Sequence, residues 1–368
     1  MKLFAMILAA VFALAAYDCH GLWRLAPGGW PVKLAAAGVF LLWMACQFGG
    51  YFVMERLPVP AAAALYAVGN AWFPFALYFA LVRLSAGAAA ACSLVPKAFL
   101  RDSAAGFLAV VGVVALVMVL GGLQHHRKQR VELSIATTKP LEKPLTIVLA
   151  SDLHLGYPTS RAELARWMDL FNAENPDLVL LGGDVLDMGT RAVEAGGHAE
   201  EFRRLRAPVW AVMGNHEHYG GTGRAARFFA EAGIRLLSDS TARFKGVDVI
   251  GRDDATNPGR APLADLAAGC DGFTIVLDHQ PRHLEEAERA GIDFQFSGHT
   301  HRGQIWPVSW ITDAMFEKSW GSHRRGDTRY YVSSGLGIWG AKIRIGTRAE
   351  YLVLHLSAVG EPGASADS

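Results

Sequence analysis

The stretch LTIVLASDLHLG, residues 145–156, decides how the rest of the chain reads. An apolar, β-branched run ends in Ser151, Asp152, Leu153 and His154. A short apolar run bounded by polar residues predicts a buried strand. Alternate side chains of a strand share a face, so Asp152 and His154 are expected to project together from its C-terminal end. That sets a carboxylate oxygen beside an imidazole nitrogen, the beginning of a metal site. A D-x-H pair alone more often ends a strand in an ordinary polar loop, so its meaning depends on partners elsewhere.

The partners come in order along the chain. Residues 161–175 carry Leu164, Trp167, Met168 and Phe171 at helical spacing, and Pro176-Asp177 ends that pattern. Residues 177–181 read as a second buried strand ending in Gly182-Gly183-Asp184. A helix is expected over 192–206, then a third strand over 208–213 ending in Gly214-Asn215-His216-Glu217. This βαβαβ pattern puts metal-competent side chains at strand C-termini, where open α/β sheets place their sites. Further on, 224–232 reads as helix, and 234–237 and 244–250 as strands. The run 273–277 is another buried strand ending in Asp278-His279, and 284–290 is helical. Residues 294–296 form a short strand before Ser297-Gly298-His299-Thr300-His301, and 329–332 and 350–355 read as strands closing a second sheet.

The ordered set Asp152-x-His154, Gly183-Asp184, Gly214-Asn215-His216-Glu217, His279 and Gly298-His299-Thr300-His301 resembles the calcineurin-like metallophosphoesterase superfamily. The closing stretch 331–337, with Arg344-Ile345-Gly346 and Glu350, is similar to its membrane-associated bacterial branch typified by YkuE and YaeI. The resemblance covers residues 145–356 and leaves the N-terminal half outside the shared domain. It implies an α/β fold, an αββα sandwich, and a dinuclear site. By that resemblance Asp184 bridges two cations, Asp152, His154 and His301 complete one site, and Asn215, His279 and His299 complete the other. Imidazole and carboxylate ligands without thiolate suit two divalent ions such as Mn, Fe or Zn rather than Ca. Such a pair polarises phosphoryl oxygens and lowers the pKa of a water for in-line attack. The resemblance makes His216 a catalytic residue beside Asp184, serving the leaving group or the transition-state charge. Asp184 or Glu217 is expected to orient it, with loop stabilisation the other reading of Glu217. His218 is expected to be exposed to solvent, and His125, His126, His198, His283 and His323 match no family position. Arg302, directly after the last motif, is a candidate for binding substrate phosphate or else a solvated side chain. The apolar stretch 306–316 reads either as a flap that meets lipid or as a loop packed on the sheet.

The N-terminal half differs in composition. The 368-residue chain is 52% hydrophobic, its mean hydropathy is +0.21, and the only acids in residues 1–123 are Asp18, Glu55 and Asp102. A membrane span needs about 20 apolar residues, and three stretches qualify, at about 34–54, 61–82 and 104–123. Residues 1–16 fit a signal peptide ending at Ala13-Leu14-Ala15 or a fourth span continuing through Trp23; the span is the preferred reading. The expected organisation is a bundle of three to four transmembrane helices over 1–123, a polar linker over 124–144, the metallophosphoesterase domain over 145–358 and a disordered tail over 359–368. The basic cluster 125–130 leans the globular half to the cytoplasmic side of an inner membrane, although Arg24, Lys33, Arg83, Lys97 and Arg101 then lie outside. Cys19, Cys46, Cys92 and Cys270 make no disulfide framework and no paired-cysteine metal knuckle. A net charge of +1 argues against nucleic acid as a partner.

These features converge on a membrane-anchored, metal-dependent phosphohydrolase, a diesterase or a pyrophosphatase or monoesterase. The expected partners are the lipid bilayer and a phosphoester carried on a lipid or envelope polymer; a related group hydrolyses the pyrophosphate of UDP-diacylglucosamine. Two rivals come from other classes. One is a catalytically silent scaffold on the same fold, which the complete ligand set argues against. The other is a channel or transporter with a regulatory domain, which the lack of paired intramembrane charges argues against.

Overall fold

The computed structural model describes residues 2–360. It contains two compact units, one of residues up to 123 together with 340–343, the other of the remainder.

In the first unit, helices span Lys2–Leu25, Trp30–Val53, Val59–Asn70, Trp72–Ala91 and Ala104–His126. The first runs without a break through Ala13-Leu14-Ala15. Among the described residues three segments are long and apolar enough to cross a membrane, Trp30–Arg56, Val59–Ala91 and Ala104–His126. The second is broken at Ala71. Pro74 has no N–H to give the carbonyl of Asn70, which is what interrupts a helix. The Asn70 side chain instead bonds the Tyr66 carbonyl at 2.8 Å and accepts from Gln47 and Tyr51 at 3.0 and 3.1 Å. Such polar side chains join helices in apolar surroundings. This unit buries an acid, Asp18, on the helix whose Tyr17 carbonyl accepts from Arg83 at 2.9 Å.

The second unit holds two six-stranded sheets. Its strands are β1 Lys128–Thr137, β2 Leu145–Ala150, β3 Leu178–Gly182, β4 Val209–Val212, β5 Arg235–Leu236, β6 Ser240–Phe244, β7 Val247–Gly251, β8 Phe273–Leu277, β9 Phe294–Ser297, β10 Gly321–Arg325, β11 Thr328–Val332 and β12 Ala349–Ala358. One sheet is ordered β1-β12-β2-β3-β4-β5, the other β10-β11-β9-β8-β7-β6. In the first, β2 to β5 are parallel; in the second, β7, β8, β9 and β11 are. The period of two in β2 sorts its side chains cleanly. Leu145, Ile147 and Leu149 enter the core between the sheets with Leu178, Leu180, Ile275, Leu277, Phe294 and Phe296. Val148 and Ala150 point to the opposite side, into a core with Leu164, Trp167 and Phe171 of the helix Arg161–Ala173. On the outer side of the second sheet Ile250 and Val276 pack with Leu284 and Ala287. The order of layers is helix, sheet, sheet, helix.

Several sequence expectations are corrected. Residues 128–137, read within a linker over 124–144, are β1, paired parallel with β12 along all ten positions. Val131, Leu133 and Ile135 alternate with Arg130, Glu132 and Ser134, the mark of a strand with one wet face, and Ile135 lies in the inter-sheet core. The strand expected over 244–250 is a hairpin, because Lys245 and Gly246 adopt φ of 47° and 87°, the left-handed pair that turns adjacent strands. The helix expected over 192–206 is two short helices, split at Gly197 with φ 65°. The tail expected over 359–368 lies almost entirely outside the described residues.

Candidate metal centre

Each site residue follows a strand of the parallel core: Asp152 and His154 after β2, Asp184 after β3, Asn215 and His216 after β4, His279 after β8, His299 and His301 after β9. The expectation that Asp152 and His154 sit on one strand face is corrected. β2 ends at Ala150, and Asp152 and His154 have φ of 55° and 45°. Their N–H groups bond the carbonyls of Gly183 and Asp184, each at 3.0 Å. Asp184, His299 and His301 also have positive φ, 49°, 70° and 47°. Left-handed backbone costs a non-glycine residue about 1–3 kcal/mol and gathers where side chains must be aimed rather than packed.

The seven predicted ligands converge. Around Asp152, His154 Nε2 lies 2.9 Å from His301 Nε2, and His301 Nε2 lies 3.2 Å from Asp152 Oδ1. Around Asp184, Oδ2 is 3.1 Å from His279 Nε2 and 3.8 Å from His154 Nε2. His299 Nδ1 lies 2.7 Å from Asn215 Oδ1. Asp152, His154 and His301 form one group able to hold a metal, and Asp184, His279 and His299 form another. Asp184 stands between them.

The local structure fits cations. His279 Nδ1 donates to the Gly182 carbonyl at 2.8 Å, which leaves Nε2 bare toward Asp184, the arrangement metal-binding histidines use. That Nε2 is buried and has no hydrogen-bond partner; its 3.1 Å approach to Asp184 lacks the alignment of one. A buried polar atom left so is costly unless something satisfies it. Glycines line the cradle. A Cβ on Gly183, whose φ is 89°, would stand 2.7 Å from His279 Nδ1, while one on Gly214 would strike Asp184 Oδ1 and one on Gly298 Asp152 Oδ2.

The charges are set by burial and by one another. Burial opposes ionisation of Asp184, but the charge of the adjacent His279 outweighs it and holds the carboxyl well below the usual range. Burial opposes a charge on His279 too, yet Asp184 pushes it well up. Burial and the neighbouring His279 push His299 down to about 4. Burial also pushes His301 down to about 4, despite Asp152. His299 and His301 are thus neutral beside an ionised Asp184, as ligation needs, whereas His279 would have to give up its extra proton to a bound cation.

Asp187, three residues after Asp184, was not singled out from sequence, and it orients His216. His216 Nδ1 donates to Asp187 Oδ1 at 3.0 Å, whereas Asp184 Oδ1 accepts only the His216 backbone N–H, at 2.9 Å. Burial works against a charged His216, but the Asp187 bond and the Asp184 charge raise it to about 9. The only signal was a second carboxylate in GDVLD. Glu217 stabilises the loop, accepting N–H groups of Asp184, Leu186 and Gly214 at 3.1, 2.7 and 2.7 Å. Ser151 donates to Asp152 Oδ2 at 2.6 Å. The fully buried Arg344 donates to the carbonyls of His301 and Gly337 at 3.2 and 2.8 Å, tying the last ligand loop to the 335–337 turn. His218 is not solvent-exposed as expected; it is half-buried and bonded to Asp253 Oδ1 at 2.9 Å. Arg302 stacks on Trp320, its guanidinium carbon 4.1 Å from the ring centroid, with Arg348 at 4.7 Å from the same ring.

Carboxylates and imidazoles gathered after the strand ends of an α/β sandwich make a candidate metal centre. Residues 145–303 match the Calcineurin-like phosphoesterase family. The chain is 30% identical to the metallophosphoesterase YkoQ of Bacillus subtilis over 57% of itself and 83% of that protein. It belongs to this family. It is also 28% identical to an uncharacterized metallophosphoesterase of Campylobacter jejuni, over 59% of this chain and 60% of that one. With a Danio rerio transmembrane protein with metallophosphoesterase domain, identity is 28% over 66% of this chain and 60% of that one. The chain thus spans about three fifths of the length of these last two relatives.

Proposed function

We propose that this protein is a membrane-anchored phosphohydrolase with a dinuclear centre, acting on a phosphoester or pyrophosphate carried on a lipid or envelope polymer. The observation that carries the hydrolase reading is the bare, buried His279 Nε2 facing Asp184 within a ring of glycines that keep side chains out. Asp152, His154 and His301 would hold one divalent ion, Asn215, His279 and His299 the other, with Asp184 shared. Two such ions supply Lewis-acid polarisation of the phosphoryl oxygens and a water of lowered pKa. His216 keeps a proton on Nδ1 for Asp187 and turns Nε2 toward the cluster, 4.0 Å from Asp184 Oδ2. From there it can donate to the leaving-group oxygen or to charge growing on the phosphoryl group. Arg302, held flat on Trp320, is a candidate contact for substrate phosphate. Support for membrane anchoring comes from the three apolar helices, and the basic cluster 125–130 supports a cytoplasmic catalytic unit, which a reporter fused after Ser368 would test.

The deciding experiment is hydrolysis of bis-p-nitrophenyl phosphate and p-nitrophenyl phosphate with Mn²⁺ added or chelated. Metal-dependent turnover is expected, falling at least about 1,000-fold in Asp184→Ala. Activity that survives both chelation and that substitution would sink the mechanism. Metal binding with no turnover of either ester would favour a scaffold.

A further inference from the structure

The segment after the last ligand loop folds in a way its composition does not favour in water. Residues 308–315 form the helix Val308–Met315. A surface helix normally turns its apolar stripe to the core. Here Ser309 is buried, and its carbonyl accepts from Thr312 Oγ1 at 2.9 Å, while Trp310, Ile311 and Met315 point out, 64%, 58% and 61% exposed. Trp306, also exposed, packs edge-on against Trp310 with ring centroids 5.4 Å apart. Eight large apolar side chains are exposed among the described residues of the globular unit. Four lie in this ten-residue segment; the others, Met188, Tyr219, Trp339 and Val359, are scattered along the chain. Clustered exposed apolar surface marks an interaction site.

The segment also reaches the metal centre. The Phe316 ring lies 6.0 Å from that of His299. Phe316 and Met315 wall a groove of about 360 Å³ whose other side is Pro281, Arg282 and Leu284, and the Arg282 guanidinium lies 5.9 Å from the Phe316 ring centroid.

We infer that the outward face of residues 306–315 embeds in the membrane interface. Paired tryptophans with Ile and Met on an amphipathic helix are the side chains that partition there. The same chain carries three helices apolar enough to hold it at a bilayer, so the lipid surface is the partner always at hand. Embedding this face would set the Phe316 groove and the metal centre at headgroup level, where a lipid-borne phosphoester presents its phosphate. That purpose rests on the phosphohydrolase reading; the embedding itself does not.

The test uses the full-length chain with its four cysteines replaced by serine, carrying an NBD probe on Trp310→Cys or Ile311→Cys. Glu200→Cys, at an exposed site on the same unit, is the control. In phosphatidylcholine–phosphatidylglycerol vesicles, doxyl-labelled lipid is expected to quench the probe at 310 and 311 at least about threefold more than at 200. Quenching no greater than at 200 would overturn the inference. A kinetic arm uses Trp310→Ser with Ile311→Ser. It should leave bis-p-nitrophenyl phosphate turnover unchanged and lower kcat/KM at least about tenfold on a phosphodiester lipid in vesicles. Unchanged lipid kinetics would overturn the role in substrate access. An enzyme inactive on every ester would instead defeat the phosphohydrolase reading, while the quenching result would still decide the embedding.

Discussion

His216 shows how single side chains set this site. Its ring is fixed from behind by Asp187 rather than by a metal ligand. Partners that orient a working side chain without touching substrate typically contribute about 10- to 100-fold. Asp187→Asn is therefore expected to lower kcat by about that factor with little change in KM, measured on bis-p-nitrophenyl phosphate. An equal loss after Asp187→Glu would argue that the exact bond length, not only the charge, matters. Gly214 works by lacking a side chain: a Cβ there would strike Asp184 Oδ1 and lie 2.7 Å from His279. Gly214→Ala should abolish activity and displace the shared ligand, and overpacking of this kind costs about 1–3 kcal/mol. Thermal unfolding with and without Mn²⁺ checks it, since a variant that still gains stability from the metal contradicts the prediction. At this scale the sequence was highly legible. All seven candidate ligands stand in motif order and meet in the structure, because metal chemistry restricts the side chains that could serve. Asp187 was not, because a second carboxylate three residues beyond a candidate ligand, in irregular backbone, has no distinctive spacing.

At the scale of elements, the glycine-ended strands of the parallel core were readable as apolar runs, since strands buried on both faces need little else. β1 was not. It pairs only with β12, more than 200 residues away in the chain, and its half-wet alternation resembles a charged tether. Ile135 is its one buried apolar side chain. Ile135→Ala should cost about 2–5 kcal/mol, read as a lowered denaturation midpoint of the globular unit. A midpoint within error of wild type would mean that β1 adds little and that the linker reading was energetically right. The short helix Val308–Met315 was visible only as an apolar stretch. Which face it turns outward follows from the buried Ser309, a tertiary fact.

For the whole molecule, the donor set and the fold are coupled. Three buried imidazoles, a fourth that is half-buried and two carboxylates crowd one end of the sandwich, and cations that bind only the folded state stabilise it by mass action. Saturating Mn²⁺, at about 100 times its Kd, should add about 2.7 kcal/mol, seen as a rise in the unfolding temperature that chelation reverses. No shift on chelation would place the metals outside this cluster.

The sequence by itself determined the family, the order of the motifs, the strands that carry them and three segments long and apolar enough to cross a membrane. Each follows from local demands: ligand type, periodic burial, and the length that crosses hydrocarbon. Only the tertiary structure decided that Asp152 and His154 aim from left-handed loop positions rather than a strand face, that Asp187 holds His216, and that residues 128–137 close a sheet edge. Those outcomes depend on groups far apart in the chain meeting in space, through carbonyls, carboxylates and strand edges whose partners no local pattern names.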